Sequence, residues 1–81
     1  MISNMEISPA QCRAARGLLN ISQARLAELS GVSQRAITGF EAGATRPMRA
    51  NLMALRMAFE REGVIFLDGN GEGPGVRLRR I

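Results

Sequence analysis

The sequence predicts a mainly α-helical fold that ends in a β-hairpin. Residues 22–43 contain two short helical patterns, each opened by a serine and separated by a glycine. Residues 49–62 carry an apolar stripe at helical spacing. After Gly63 the pattern changes to an apolar run at 64–67 and an alternating segment at 76–79, which is typical of two strands. The 81 residues suffice for one domain with a modest core.

The first helix is predicted to begin just after Ser8. The hydroxyl of Ser8 can cap the helix, Pro9 suits its first position, and Gln11 can complete a capping box. A 3.6-residue period carries the helix toward Leu19 and places four residues on one face: Cys12, Ala15, Arg16 and Leu19. We expect the lone cysteine to be a buried small hydrophobic residue and not a nucleophile.

The second and third helices form the most informative part of the sequence. Ser22 and Ser33 can cap the two helix starts, Gly31 can take the left-handed turn conformation, and Gly43 can end the third helix. Two helices joined by so short a turn predict a helix-turn-helix. The second helix of such a motif can lie in the major groove of DNA.

A fourth helix over 49–62 follows a loop, and Met48 stands where a polar cap is usual. The segment after Gly63 predicts a hairpin whose loop, 68–75, is rich in glycine; a phosphate-binding loop is disfavoured because no helix follows it. We divide the chain into a helix-turn-helix part, 1–63, and a hairpin extension, 64–81.

The hairpin is the predicted dimerisation element. A two-stranded hairpin is marginal in water, so one of its faces needs a cover. A second subunit is the simplest cover, and packing on the chain's own helices is the alternative. The residues predicted at the subunit interface are Val64, Ile65, Phe66, Leu67, Val76 and Leu78.

The composition favours a polyanionic partner. Eleven basic residues oppose seven acidic ones, so the net charge is +4, and the pI is about 11.3. Every basic residue is an arginine, whose planar guanidinium suits phosphates and guanine edges. A compositional bias of the genome explains the missing lysine equally well.

Other function classes are disfavoured. The chain has no histidine, a single cysteine and no metal-ligand spacing, so we expect no enzymatic activity, no metal and no cofactor. The lone cysteine fits a reducing compartment, and we see neither a signal-peptide pattern nor a run of about 18 apolar residues that could cross a membrane. We therefore predict a cytoplasmic location, at the nucleoid, and no membrane partner.

As a set, ten residues of the chain resemble the Cro/cI-repressor-like helix-turn-helix family, which is also called the xenobiotic-response-element family. They are Gln23, Leu26, Ala27, Gly31, Val32, Ser33, Ile37, Glu41, Gly43 and Pro47. The resemblance covers roughly residues 7 to 63. It implies a lambda-repressor-like bundle of four to five helices that binds operator DNA, usually as a dimer.

The resemblance also implies roles for individual residues. Arg16 and Glu41 occupy positions that form a partly buried ion pair in such repressors. The residues predicted to contact DNA are Gln23, Ser33, Gln34, Arg35, Thr38, Arg46 and Arg49. Among them, Thr38 is expected to touch a thymine methyl or a phosphate. Gly39 either permits a close backbone approach or reflects a surface with few base contacts, and the sequence does not decide between these.

The sequence therefore predicts a sequence-specific double-stranded DNA-binding transcriptional regulator. A dimer would place the recognition helix, 33–42, in the major groove at each half of a (pseudo)palindromic operator. The alternative is an antitoxin or another interaction protein that binds a second protein through its hairpin. Since the chain ends at residue 81, we expect no attached effector or peptidase domain.

Overall fold

The structure is a computed structural model, and it describes residues 6–68 and 73–79 of the chain. Residues 69–72, within the predicted hairpin loop, lie outside the described residues. The described part forms four helices followed by two strands: α1 (Pro9–Leu19), α2 (Gln23–Ser30), α3 (Gln34–Glu41), α4 (Arg49–Arg61), β1 (Val64–Leu67) and β2 (Gly75–Leu78). The predicted fold class, a helical bundle with a helix-turn-helix and a hairpin, is confirmed.

Serine caps start the first three helices, as predicted. The hydroxyl of Ser8 accepts the N–H of Gln11 at 3.0 Å, and the Gln11 side chain accepts the N–H of Ser8 at 2.9 Å, which completes the capping box. Ser22 and Ser33 accept backbone N–H groups of the next turn in the same way. Met48 supplies no side-chain cap to α4.

Residues with positive φ end the helices. Gly31 ends α2 at φ 79°, and Gly63 follows α4 at φ 97°, a region that costs glycine no steric strain. Asn20 ends α1 in the same left-handed region, at φ 57°, which asparagine tolerates better than most residues. This stop at Asn20 was not among the predictions.

One apolar core lies between the helices and beneath the hairpin. The helices bury the faces that their spacing predicts, and the largest fully buried side chains include Leu26, Ile37, Leu55 and Phe59. The other buried apolar residues of this core are Ile7, Cys12, Ala15, Val32, Phe40, Leu52, Ala58, Val64 and Phe66. None of the described helices is long and apolar enough to span a bilayer.

The hairpin packs on the helices through one of its faces. The strands are antiparallel, with Val64 opposite Leu78 and Phe66 opposite Val76. Phe66 meets Phe59 of α4 edge to face, with 5.9 Å between ring centroids, and the Arg56 guanidinium lies 5.2 Å from the Phe66 ring centroid. β2 begins one residue earlier than predicted.

Gln11 fastens the hairpin to the start of α1. Its side-chain amide N–H group donates to the carbonyls of Leu67 at 3.3 Å and Gly75 at 3.2 Å. These two residues face each other across the strand pair. Gln11 therefore caps α1 with its side-chain oxygen and holds the hairpin with its nitrogen, whereas the sequence indicated only the capping role.

Candidate nucleic-acid interface

The turn between α2 and α3 is closed by local hydrogen bonds. The Gly31 N–H donates to the Ala27 carbonyl at 2.9 Å, and the Val32 N–H donates to the Ser30 hydroxyl at 3.1 Å. Val32 is buried, so its side chain anchors the turn to the core. These contacts fix α3 with one face toward the core and the other toward solvent.

The solvent face of α3 borders an open depression of about 850 Å³. Its walls come from the start of α3 and from the loop that follows the helix: Ser33, Gln34, Arg35, Ala36, Thr38, Gly39 and Thr45. Four of the predicted DNA-binding residues, all at or on α3, therefore lie together on one surface. The Ser33 hydroxyl already accepts the Ala36 N–H at 3.1 Å, so it serves first as the helix cap.

Gly39 lets the loop after α3 fold back against the helix. Its carbonyl accepts the N–H groups of Ala44 at 2.9 Å and Thr45 at 3.2 Å. A Cβ at Gly39 would collide with the hydroxyl of Thr45. The sequence left open whether Gly39 permits a close backbone approach. In the structure it does, and the approaching segment is the loop after α3 of the same chain.

On the core side of α3, Glu41 is held by four donors. Arg16 binds it in two-pronged fashion, Nε to Oε2 at 2.8 Å and Nη2 to Oε1 at 2.7 Å. The Gln23 amide donates to Oε1 at 2.9 Å, and the Cys12 thiol donates to Oε2 at 3.0 Å. Glu41 is only 4% exposed, so these bonds replace the water that the carboxylate loses on burial.

The surroundings shift the pKa values of the buried acids in opposite directions. Burial by itself would raise the pKa of Glu41, but hydrogen bonds from Arg16, Gln23 and Cys12 outweigh it and lower that pKa to about 2. Burial and the Glu41 carboxylate both raise the pKa of the Cys12 thiol. Cys12 is therefore buried, as predicted, but it is also a hydrogen-bond donor, which the sequence did not indicate.

Gln23 connects this buried group to the solvent face. Its side-chain oxygen accepts the Thr38 hydroxyl at 2.7 Å, while its nitrogen binds Glu41. Gln23 is half-buried and Thr38 is exposed. The structure thus joins two predicted DNA-binding residues directly and connects both to the Arg16–Glu41 pair.

The three predicted DNA-binding arginines differ in their surroundings. Arg35 and Arg49 are exposed, and neither forms a hydrogen bond or ion pair with any described residue. Arg46 forms an ion pair with Glu6. Arg13, which was not among the predicted site residues, donates to the carbonyl of Glu41 at the end of α3. No local sequence signal indicated this contact, because it joins residues 28 positions apart.

The predicted subunit interface needs a correction. Val64 and Phe66 fill the chain's own core at 1% and 9% exposure, and Val76 packs against that core. These side chains point inward because alternate strand residues share a face. Of the six predicted residues, Leu67 and Leu78 are exposed at 37% and 43%, and Ile65 is half-buried. A dimerisation role stays a prediction for Ile65, Leu67 and Leu78.

Among the described residues, no group of three or more histidine, cysteine, aspartate or glutamate side chains could hold a metal ion.

Comparison with known proteins identifies the family. The family model described as helix-turn-helix matches residues 13–63. The chain is also similar to the DNA-binding domain (residues 1–76) of the P22 C2 repressor, with 38% sequence identity and a TM-score of 0.60. The match covers 72% of this chain and 76% of that one. No curated protein matches the chain significantly. The predicted resemblance is confirmed, and the chain belongs to the Cro/cI-like helix-turn-helix family.

Proposed function

We propose that the protein is a sequence-specific transcriptional regulator that binds double-stranded DNA with α3 in the major groove. The observation that carries this proposal is the contrast across α3. The carboxylate on its core side is fully hydrogen-bonded, whereas the side chains of Gln34 and Arg35, at its first turn, are exposed and have no partner among the described residues. A helix of about 12 Å diameter with side chains fits the major groove of B-DNA.

Each exposed side chain suits a particular part of the duplex. Arg35 can bind guanine O6 and N7 in two-pronged fashion, and Gln34 can bind adenine N6 and N7 in the same way. Gln23 keeps a second amide N–H that can donate to a phosphate, which would position the protein without reading sequence. Arg46, in the loop after α3, and Arg49, at the start of α4, supply positive charge for further phosphates.

We further propose that two copies act together on a (pseudo)palindromic operator. Few side chains read bases in one copy, so a second copy doubles the contacts and adds the spacing of the half-sites as information. In a symmetric dimer of such motifs the half-sites lie about 34 Å apart, one helical turn. Leu67 is exposed, and Ile65 beside it on the same strand face is half-buried; this face points away from the core that Val64 and Phe66 fill, which supports a contact there.

Selection of bound duplexes from a random pool tests the proposal. We expect enrichment of a two-fold symmetric sequence and an affinity that falls steeply as salt rises. The matched control is the double variant Gln34→Ala/Arg35→Ala, whose changes lie on the exposed face and leave the core intact. Failure of the parent chain to enrich any sequence, or a flat salt response, would contradict DNA binding.

The same outward hairpin face also supports the second candidate, an antitoxin-like protein that binds a different partner through its hairpin. Light scattering on the parent chain and on Leu67→Gln/Leu78→Gln separates the two. A dimer that the double variant dissociates supports self-association. A parent chain that is monomeric with and without operator DNA favours the heterologous partner.

A further inference from the structure

We propose that Thr38 is a specificity-determining residue that reads a base edge as a hydrogen-bond acceptor, and that it does not bind a phosphate. Its hydroxyl hydrogen is already committed inside the protein, to Gln23. This inference rests on the proposed placement of α3 in the major groove, and it goes beyond that proposal by assigning the chemistry that Thr38 selects.

The first step is the orientation of the Gln23 amide. An ionised carboxylate only accepts hydrogen bonds, and Glu41 stays ionised because it is paired with Arg16. Gln23 must therefore turn its N–H group toward Glu41, at 2.9 Å. The flipped amide would place two oxygens against each other at that distance, which is repulsive.

The second step follows from the first. With its nitrogen on Glu41, Gln23 presents its side-chain oxygen to Thr38, 2.7 Å from the threonine hydroxyl oxygen. An amide oxygen cannot donate, so the hydrogen between these atoms belongs to Thr38. A hydroxyl has one hydrogen, and Thr38 therefore has no donor left for DNA.

The third step concerns what Thr38 presents outward. Its side chain is exposed and lines the depression on the solvent face of α3. What remains there is the acceptor capacity of the hydroxyl oxygen and a methyl group. In the major groove, adenine N6 and cytosine N4 are donors, whereas guanine presents only acceptors, N7 and O6. Thr38 should therefore favour adenine or cytosine at the edge it faces and disfavour guanine. Phosphate oxygens are acceptors too, so Thr38 should not bind them.

Gln23 and Glu41 act in this scheme as positioning residues. Gln23 holds the Thr38 hydroxyl, and Glu41 sets which end of the Gln23 amide faces it. If Gln23 loses its amide, the Thr38 hydroxyl can rotate and donate again. The base preference at that position should then broaden, although Thr38 itself is unchanged.

The test compares base preferences of the parent chain with those of Thr38→Val, which keeps the side-chain shape and removes the hydroxyl. Binding is measured on the selected operator and on duplexes that carry each other base pair at each position. For Thr38→Val we expect the discrimination against guanine to shrink roughly three- to tenfold, the worth of one net hydrogen bond, at one position per half-site. Preferences at the other positions should not change.

Two further variants sharpen the test. Thr38→Ser keeps the donated hydrogen bond, so the discrimination against guanine should persist. Gln23→Met should reduce it, and should also lower affinity on all duplexes through the lost phosphate contact. Thermal melts of each variant confirm that it is folded before binding is compared.

The outcomes separate this inference from the function on which it rests. A parent chain that enriches no DNA sequence overturns the proposed function itself. If the parent enriches a sequence but Thr38→Val weakens all duplexes equally, Thr38 is a phosphate contact and the inference is wrong. It is also wrong if Thr38→Val leaves every base preference unchanged.

Discussion

The charged side chains on the two sides of α3 differ in burial and in hydrogen bonding. On the core side, the carboxylate of Glu41 is 4% exposed and bound by Arg16, Gln23 and Cys12. On the solvent side, the guanidinium of Arg35 is exposed and has no partner among the described residues. Both groups are ionic and lie within two turns of one short helix.

This difference separates stability from recognition. A buried ion with all its hydrogen bonds made is costly to disturb, because removal of one partner leaves the others buried without a hydrogen-bond partner. An exposed ion contributes little to folding and keeps its hydrogen bonds for a ligand. Variants of Glu41 should therefore mainly change the free energy of unfolding, whereas variants of Arg35 should mainly change DNA affinity.

The largest effect is expected from Glu41→Ala, which leaves four donor groups on three buried or half-buried side chains without their acceptor. We expect a loss of about 3–5 kcal/mol in the free energy of unfolding, measured by urea denaturation. The matched control is Glu28→Ala, which breaks the exposed Arg25–Glu28 pair at 3.0 Å and should cost less than about 1 kcal/mol. Equal losses in the two variants would refute the distinction between the two sides.

The second effect is a dependence of stability on pH. The pKa of Glu41 is about 2 in the native chain, against an ordinary value of 4.5. At neutral pH the carboxylate is ionised in both states. As pH falls, the unfolded chain takes up a proton first, so native stability is lost between about pH 5 and pH 2, by about 3 kcal/mol.

Urea midpoints recorded from pH 7 to pH 2 measure this loss. The control is Arg16→Met/Glu41→Leu, in which the ion pair is replaced by apolar groups of similar size. That variant should lose less stability than the parent chain over the same range. The assignment to Glu41 is wrong if both proteins show the same slope.

The third effect belongs to the solvent side. Arg35→Ala should reduce affinity for the selected operator by about 1–3 kcal/mol and relax selection at one base pair, while urea denaturation stays unchanged within about 0.5 kcal/mol. Arg35→Lys keeps the charge and loses the two-pronged geometry. A lysine variant that binds every duplex as well as the parent would identify Arg35 as a phosphate contact instead.

The smallest effect concerns Arg46, which lies between the two extremes because it is exposed but paired with Glu6. Glu6→Gln should release Arg46 for a phosphate and raise DNA affinity by less than about 1 kcal/mol. In the double variant Glu6→Gln/Arg46→Ala, DNA affinity should not rise above that of Arg46→Ala alone, because the released Arg46 side chain is the group that binds the phosphate. A gain that persists in the double variant would show that Glu6 acts on DNA by general repulsion.

Local signals in the sequence predicted the helix-turn-helix well. Serine caps, the glycine at the turn and the helical period of apolar residues act over three or four positions, so they can be recognised without a structure. The positions of Arg16 and Glu41 came from the family resemblance, and the structure places the two side chains in contact.

Such local signals could not predict contacts between residues that are far apart in the sequence. Gln11 reaches Gly75, 64 positions along the chain, and Cys12 reaches Glu41, 29 positions along. Neither distance is set by a local period. The inward turn of Val64 and Phe66 was missed for a related reason: an unbroken apolar run does not show which alternate residues face the core.

The double use of Gln11 has a consequence for how the domain opens. One side chain closes the first turn of α1 and also holds both strands of the hairpin. Fraying of that turn removes an anchor from the strands, and detachment of the strands removes an anchor from the turn. These two segments, far apart along the chain, therefore form one cooperative unit. Any partner or second copy that binds the hairpin would also stabilise the start of α1, the helix that carries Arg16, the ion-pair partner of Glu41.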